Sequence, residues 1–399
     1  MAPAITPDLN FYYPQPGTKL KGGRYVLLRP LGSGVYSTTW LVLDSQERDS
    51  DAPNQGYAAV KVLTRMATDA HKSGTMNELD FLKYIAHIAS RSNLPVLLDD
   101  FEMIGPTGSH LCFVVTLMGL DVTSLRRSSP NNALRPYIVK KIISDVVESL
   151  SVLHESGIIH TDVKGNHVLF GGVHPDEIRE ELENHPPEVI GQFELSDGTK
   201  HYVFAARPFI GPARWNMLHL QSEAQAYQLI DLGHAQWAGQ QPTVTTFGSG
   251  ALRAPESVVG SDFGPHIDIW AVGCLTYELL AGESLFNPVG KDDREMEVEL
   301  LSQIFALTGE RYSELTLSRA QWSDDFLDKE GNLKGENVLN PTSVEARLSS
   351  RGFISEAEVT LAANFIGQCL KVEPANRPSA EDLLGHTWLY GAWCCNPDH

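Results

Sequence analysis

The sequence predicts an α+β chain of two unequal parts: a small antiparallel, strand-rich part with one helix, then a larger, mainly α-helical part. Three observations carry this reading. Strand-like runs of β-branched and aromatic residues crowd the stretch before residue 117. A long amphipathic segment, "ALRPYIVKKIISDVVESLSVLHESG", then changes the period from two to 3.6. Farther on, "DIWAVGCLTYELLAG" is apolar nearly all round, the pattern of a fully buried central helix.

Residues 1–23 are rich in Pro and Gly and read as irregular. "RYVLLRPLGSG" and "STTWLVLD" read as two strands joined by a glycine turn, and "YAAVKVL" as a third. "TMNELDFLKYIAHIA" places Met76, Leu79, Leu82, Ile85 and Ile88 at helical spacing. Two further strands are expected near "VLLDDFEM" and "HLCFVVTLM", followed by a crossing near Leu117 to Asp121. In the long helix Ile138, Ile142, Val146, Leu150 and Leu153 form the stripe, and Gly157 ends it. "EAEVTLAANFIGQCL" and "AEDLLGHTWL" add helices. Between the strands "HVLF" and "AYQLID" lies a connection long enough to be an insertion with its own role. It holds an acidic helical stretch, "HPDEIREELENHP", and a hairpin around Asp197-Gly198.

Composition excludes several classes. Hydrophobic residues make up 42% and charged residues 20%, which is globular rather than disordered. No apolar run reaches the length of a membrane helix, and the start lacks a secretory pattern, so a cytoplasmic or nuclear site is expected. The five cysteines are odd in number, form no C-x-x-C, and read as reduced thiols. A net charge of −19 disfavours direct nucleic-acid binding and suits a basic peptide partner, or simply keeps the chain soluble.

The residues that carry chemistry come in a fixed order. "LGSGVYSTTW" supplies Gly32, Gly34 and Ser37 between two strands, where backbone N–H groups can approach phosphates; a plain turn is the simpler reading of any single G-x-G. Lys61 in "AAVK" lies on the third strand, and Glu78 on the helix that follows could hold it against phosphates. "HTDVKGNHVLF" gives Asp162, to orient a substrate hydroxyl, and Lys164, to neutralise charge on a transferred phosphoryl group. "DLGHAQW" gives Asp231, a carboxylate for a metal ion. "LRAPE" gives Glu256, for which Arg377 in "NRP" is the expected buried, structural partner.

This order resembles the eukaryotic protein kinases over residues 24–390, and more narrowly the SR-protein kinases, through "SGVYSTTWL", "HTDVK", "DLGHAQW", "SDDFLDKEGNLK" before "LSSRGFISEAE", and "LLGHTWL". The resemblance implies a bilobal kinase fold, with a small lobe over 24–116, a hinge over 117–121, a large lobe over 122–390, an insertion over 171–225 and a tail over 391–399. It implies ATP and Mg²⁺, with Mn²⁺ as an alternative, a monomer, and transfer to serines of a basic, Arg/Ser-rich protein partner. The nucleotide would lie against Leu31, Gly32, Ser33, Gly34, Val35, Tyr36, Ser37, Thr39, Ala59, Lys61, Val115 and Leu117. Part of an acidic docking groove would come from Asp292, Asp293, Glu295, Glu297 and Glu299; a solvated helix face is the plain alternative.

Departures from the family pattern are specific. "LRAPE" follows the general kinase motif rather than the SR-kinase version, and Thr39 stands where Val is expected over the adenine. Thr161 replaces the Arg before the catalytic Asp, so no activation-loop phosphate at Thr243, Thr245 or Thr246 should be required. His167 takes the place of the metal-binding Asn. Val168 and Leu169 read as a continuing strand, which would turn Asn166 away and His167 toward the metal. An imidazole with the ordinary pKa of about 6.5 would lose this role on protonation. Two other readings stay open, a pseudokinase scaffold and a small-molecule kinase. His167 and the missing third glycine motivate the first, and the peptide-platform motifs argue against the second.

Overall fold

A computed structural model describes residues 3–46, 56–88, 93–106, 108–195, 198–209, 214–240, 247–248, 250–261, 263–328, 331–334 and 339–392. In chain order the elements are β1 (Lys19–Leu20), β2 (Tyr25–Ser33), β3 (Ser37–Asp44), β4 (Tyr57–Leu63), α1 (Arg65–Lys72), α2 (Glu78–Ala86), β5 (Leu97–Gly105) and β6 (Gly108–Thr116). They continue as α3 (Val122–Arg127), α4 (Pro136–Glu155), β7 (Ile158–Ile159), β8 (Val168–Phe170), α5 (Pro175–Asn184), β9 (Val189–Glu194), β10 (Lys200–Phe204), α6 (His219–Glu223), β11 (Tyr227–Leu229) and β12 (Gln236–Trp237). The rest is helical: α7 (Pro255–Val259), α8 (His266–Ala281), α9 (Asp293–Thr308), α10 (Glu314–Arg319), α11 (Ser323–Phe326), α12 (Val344–Ser350), α13 (Glu356–Cys369) and α14 (Ala380–Leu384). Among the described residues, no helix is long and apolar enough to cross a membrane.

The first unit comprises Met1–Leu120 and Leu169–Ala213. Its sheet runs β1-β2-β3-β4-β6-β5 and is antiparallel throughout. Alternation sorts its side chains. Tyr25, Leu27, Trp40, Val42, Ala58, Val60, Val62, Cys112 and Val114 build the core on one face. Leu41 and Ala59, directly paired across β3 and β4, belong to a second cluster. That second cluster is completed by Val173, Ile178 and Phe209 of the insertion, so residues 169–213 are part of this unit.

Residues 3–23 make more regular pairings than their composition suggests. β1 pairs with β2, and the backbone of Gln192 on β9 bonds to both Pro3 and Ile5. The helix expected from Met76 starts at Glu78. An unexpected α1 precedes it, capped by Thr64, whose hydroxyl accepts from the Ala67 N–H. In the insertion, the acidic stretch forms α5, and β9 and β10 pair as the expected hairpin. Asp197 lies outside the described residues, as do Thr243, Thr245 and Thr246.

The second unit comprises Asp121–Val168 and Arg214–His399. Pro136 begins α4, where its missing N–H costs nothing, and the five stripe residues are all fully buried. Gly157, at φ +72°, then reverses the chain. Helix α8 is buried almost along its whole length and packs against α4 and α13. Gly273 lets α13 approach, because a Cβ there would stand 2.7 Å from that of Cys369. The three described thiols, Cys112, Cys274 and Cys369, are buried and free, and burial pushes each thiol up.

Candidate active site

In the first unit, β2 ends at Ser33 and β3 begins at Ser37, leaving Gly34, Val35 and Tyr36 as the turn. The turn closes with the Gly34 N–H donating to the Ser37 carbonyl at 2.9 Å. Neither Gly32 nor Gly34 needs a positive φ, and a Cβ at either would meet nothing within 4 Å. Backbone geometry and packing therefore do not demand these glycines. Close approach of a ligand would.

Cross-strand pairing sets the face on which the chemistry lies. Thr39 pairs with Lys61, Leu41 and Val115 each pair with Ala59, and Lys61 pairs with Phe113. Lys61 Nζ reaches both carboxylate oxygens of Glu78, at 2.7 and 2.8 Å. Glu78 opens α2, where a carboxylate also complements the helix dipole. Leu31, Ala59, Val115 and Leu117 share the cluster that the insertion completes.

In the second unit, the loop after β7 is held from beneath by Asp268 of α8. Its carboxylate accepts from the backbone N–H groups of His160 and Thr161, at 2.8 and 2.7 Å, and contacts His154 Nε2 at 2.9 Å. His160 carries its proton on Nε2, facing the Ile230 carbonyl at 3.0 Å, and accepts from the Asp162 N–H on Nδ1. Thr161 is turned to φ +70° and its hydroxyl donates to the His234 carbonyl. A β-branched residue in that region is strained, and these bonds hold it there.

The strap presents Asp162, whose Oδ2 lies 2.6 Å from Lys164 Nζ. His167 ends a 3-10 turn, Gly165–His167, rather than continuing a strand. Asn166 is exposed, and His167 Nε2 lies 3.2 Å from Asp231 Oδ2. Asp231 itself adopts φ +68°, a second strained residue in the site. His167 Nδ1 sits 3.0 Å from the Asp162 carbonyl and Nε2 faces the Asp231 carboxylate, so both ring nitrogens meet acceptors; a neutral ring donates to one of them and turns a lone pair to the other. The ordinary imidazole pKa does not apply. Burial pushes His167 down to about 4, against the opposing pull of Asp231.

Glu256 and Arg377 form the expected ion pair at 2.6 and 2.7 Å, almost wholly buried. The acidic stretch is mostly engaged internally. Asp292 caps α9, Glu295 accepts from the Lys291 N–H, and Glu297 pairs with Arg253. Glu299 lines a cavity of about 640 Å³ with Glu283, Asn287 and Gln303. Sequence reasoning missed Asp268, although a buried carboxylate in the first turn of so apolar a helix was the available signal. It also missed the packing of Phe209 against the Lys61-bearing face, for which no periodic pattern exists.

Comparison with known proteins gives a consistent result. A family model for the protein kinase domain matches residues 25–178 and 215–389. A serine/threonine protein kinase of Aspergillus fumigatus is 25% identical over 96% of this chain and 88% of its own length. The serine/threonine-protein kinase SRPK of Physarum polycephalum is 24% identical over 95% and 88%. SRSF protein kinase 3 of Sus scrofa is 22% identical over 95% and 88%. A solved kinase-domain crystal structure superposes with a TM-score of 0.66 over 96% of this chain and 99% of that chain, at 19% identity, which supports the fold.

Proposed function

The chain belongs to the protein kinase family and is a protein serine/threonine kinase; on that premise we propose that it is catalytically competent and transfers the γ-phosphoryl group of ATP to serines in basic, Arg/Ser-rich protein segments. The observation that carries competence is Asp162, fixed in place with Lys164 Nζ 2.6 Å away. In this reading Asp162 orients the attacking hydroxyl, and Lys164 moves to the transferred group as negative charge builds there. Lys61, held by Glu78, positions the α- and β-phosphates, and the open glycine turn approaches the others with backbone N–H groups.

The metal requires a separate test of fit. An imidazole nitrogen and a carboxylate oxygen 3.2 Å apart stand at roughly the separation of neighbouring ligands on one divalent ion. Among the described residues no cluster of three metal-binding side chains occurs, which suits an ion completed by phosphate and water. Asp231 and His167 would hold it, and when bound it would neutralise charge on the phosphates.

The Arg/Ser preference is supported by the relatives named as SRPK and SRSF protein kinase and by the net charge of −19. The test uses radiolabelled ATP with an Arg/Ser-repeat peptide, a generic basic protein and a short neutral Ser peptide. The Arg/Ser peptide should be labelled fastest, and its rate should fall steeply with salt as charge pairs are screened. Equal rates on the Arg/Ser and neutral peptides at low salt would remove the specificity. No transfer to any of them would favour a scaffold.

A further inference from the structure

The Lys61-bearing face of the sheet is covered in part by residues that do not belong to the sheet. Leu41, Ala59 and Leu117 are buried there, and the cluster is finished by Val173, Ile178 and Phe209, with Leu182 of α5 packed against it. Leu31, Thr39 and Val115, in the same region, remain half-exposed. The insertion therefore stops short of sealing the face.

We propose that Phe209 is a nucleotide-binding residue whose ring forms an apolar wall of the base site together with Leu31, Ala59 and Leu117. This rests on the ATP reading above. The chain carrying the ring is fixed at several points. The Arg207 N–H donates to the Pro30 carbonyl at 3.0 Å, which lays the segment beside the strand that enters the glycine turn. The Ala205 N–H donates to the Glu188 carbonyl at 2.8 Å. Glu181 of α5 bridges Arg207 Nε at 3.2 Å and the buried Arg29 of β2 at 3.4 Å. Two residues beyond Arg207, Phe209 is only 3% exposed and sits in the cluster with four residues expected to meet the nucleotide, Leu31, Ala59, Val115 and Leu117.

The chemistry of the face explains the need for such a ring. A purine base is flat and stacks on apolar or aromatic surface. Ala59 offers a single methyl group, and Thr39 places a hydroxyl where an aliphatic side chain is expected. Phe209 supplies the apolar area that these two lack. Because the ring arrives from the insertion, the insertion becomes a component of nucleotide affinity in addition to packing beneath the sheet.

The experiment compares wild type with F209A and the milder F209L. It measures mant-ADP binding by fluorescence, KM for ATP at fixed peptide, KM for peptide at fixed ATP, and thermal unfolding without nucleotide. F209A should raise the mant-ADP Kd and the KM for ATP about tenfold and F209L about threefold, with KM for peptide unchanged. If F209A does not fold, F209L decides. Tighter mant-ADP binding in either variant would mean that the ring occupies the base site and competes for it, which overturns the proposal. Unchanged Kd and KM with only a lower unfolding temperature would make Phe209 a packing residue, which overturns it equally. Wild type that fails to bind mant-ADP would instead remove the ATP reading itself, and the wall with it.

Discussion

The Nε2 of His167 stands 3.2 Å from Oδ2 of Asp231, while its Nδ1 faces the carbonyl of Asp162 at 3.0 Å. Both partners are acceptors, so a neutral ring that donates to the carbonyl aims a lone pair at the carboxylate. Two electron-rich atoms at that distance repel unless something positive lies between them. Imidazole suits transition metals better than Mg²⁺, which prefers oxygen. Turnover with Mn²⁺ should therefore exceed turnover with Mg²⁺, and His167→Asn should raise the Mg²⁺-supported rate by roughly fivefold. Asp231→Ala should lower both rates by at least about a hundredfold. Initial rates at matched free metal decide it, and an unchanged Mg²⁺/Mn²⁺ ratio in His167→Asn would remove His167 from the metal.

The same burial sets the pH behaviour. With its pKa pushed down to about 4, His167 stays neutral through the range where kinases are assayed. The rate profiles of wild type and His167→Asn should have the same shape between about pH 5.5 and 8. An acid limb near 6.5 that disappears in the variant would contradict this. Stability runs in a definite direction. Below about 6.5 the unfolded chain gains a proton that the folded chain refuses until about 4, so stability falls as pH drops through that window. His167→Asn should lose less on acidification, as urea unfolding at pH 7 and pH 5 would show.

Regulation follows from Thr161. Its hydroxyl donates to the His234 carbonyl and its N–H to Asp268, so this position is neutral and satisfied within the loop. No cationic side chain there awaits a phosphate. Replacing Thr243, Thr245 and Thr246 together by Ala should leave kcat within about threefold, a barrier change below ~1 kcal/mol. A hundredfold loss would mean that the loop needs phosphorylation after all.

What the sequence disclosed depended on how local the cause was. Helices α4 and α8 were readable because the apolar pattern of each lies within one segment, and every stripe residue of α4 is buried. Lys61, Glu78, Asp162 and Asp231 stand out as candidates because their order along the chain is distinctive. The underpinning of the catalytic loop was not readable. Asp268 holds backbone N–H groups more than a hundred residues away in sequence, and no spacing rule connects them. The covering of the Lys61 face was equally hidden. Val173, Ile178 and Phe209 follow no shared period and meet only because α5 and the β9–β10 hairpin fold back onto the sheet. Helix α1 escaped because its sequence is mostly polar, and it buries only Ala67 and Thr68.

The Glu256–Arg377 pair bears on stability rather than on chemistry. The guanidinium spans the carboxylate with two bonds, at 2.6 and 2.7 Å, and its other donors meet the carbonyls of Lys371, His266 and Val372. It also lies over the Trp270 ring at 5.0 Å. The two side chains are 0% and 1% exposed, so solvent does not screen them. Arg377→Ala strands the Glu256 carboxylate in the interior together with three carbonyls, which should cost about 3–5 kcal/mol. Arg377→Lys should recover little, because one ammonium cannot reproduce the planar fork. Removing both charges together, as in Glu256→Leu with Arg377→Met, should be milder than Arg377→Ala alone, since no unpaired charge remains. Urea unfolding followed by tryptophan fluorescence would rank the three variants. If Arg377→Ala lost less than about 1 kcal/mol, the pair would be no more than a surface-like contact.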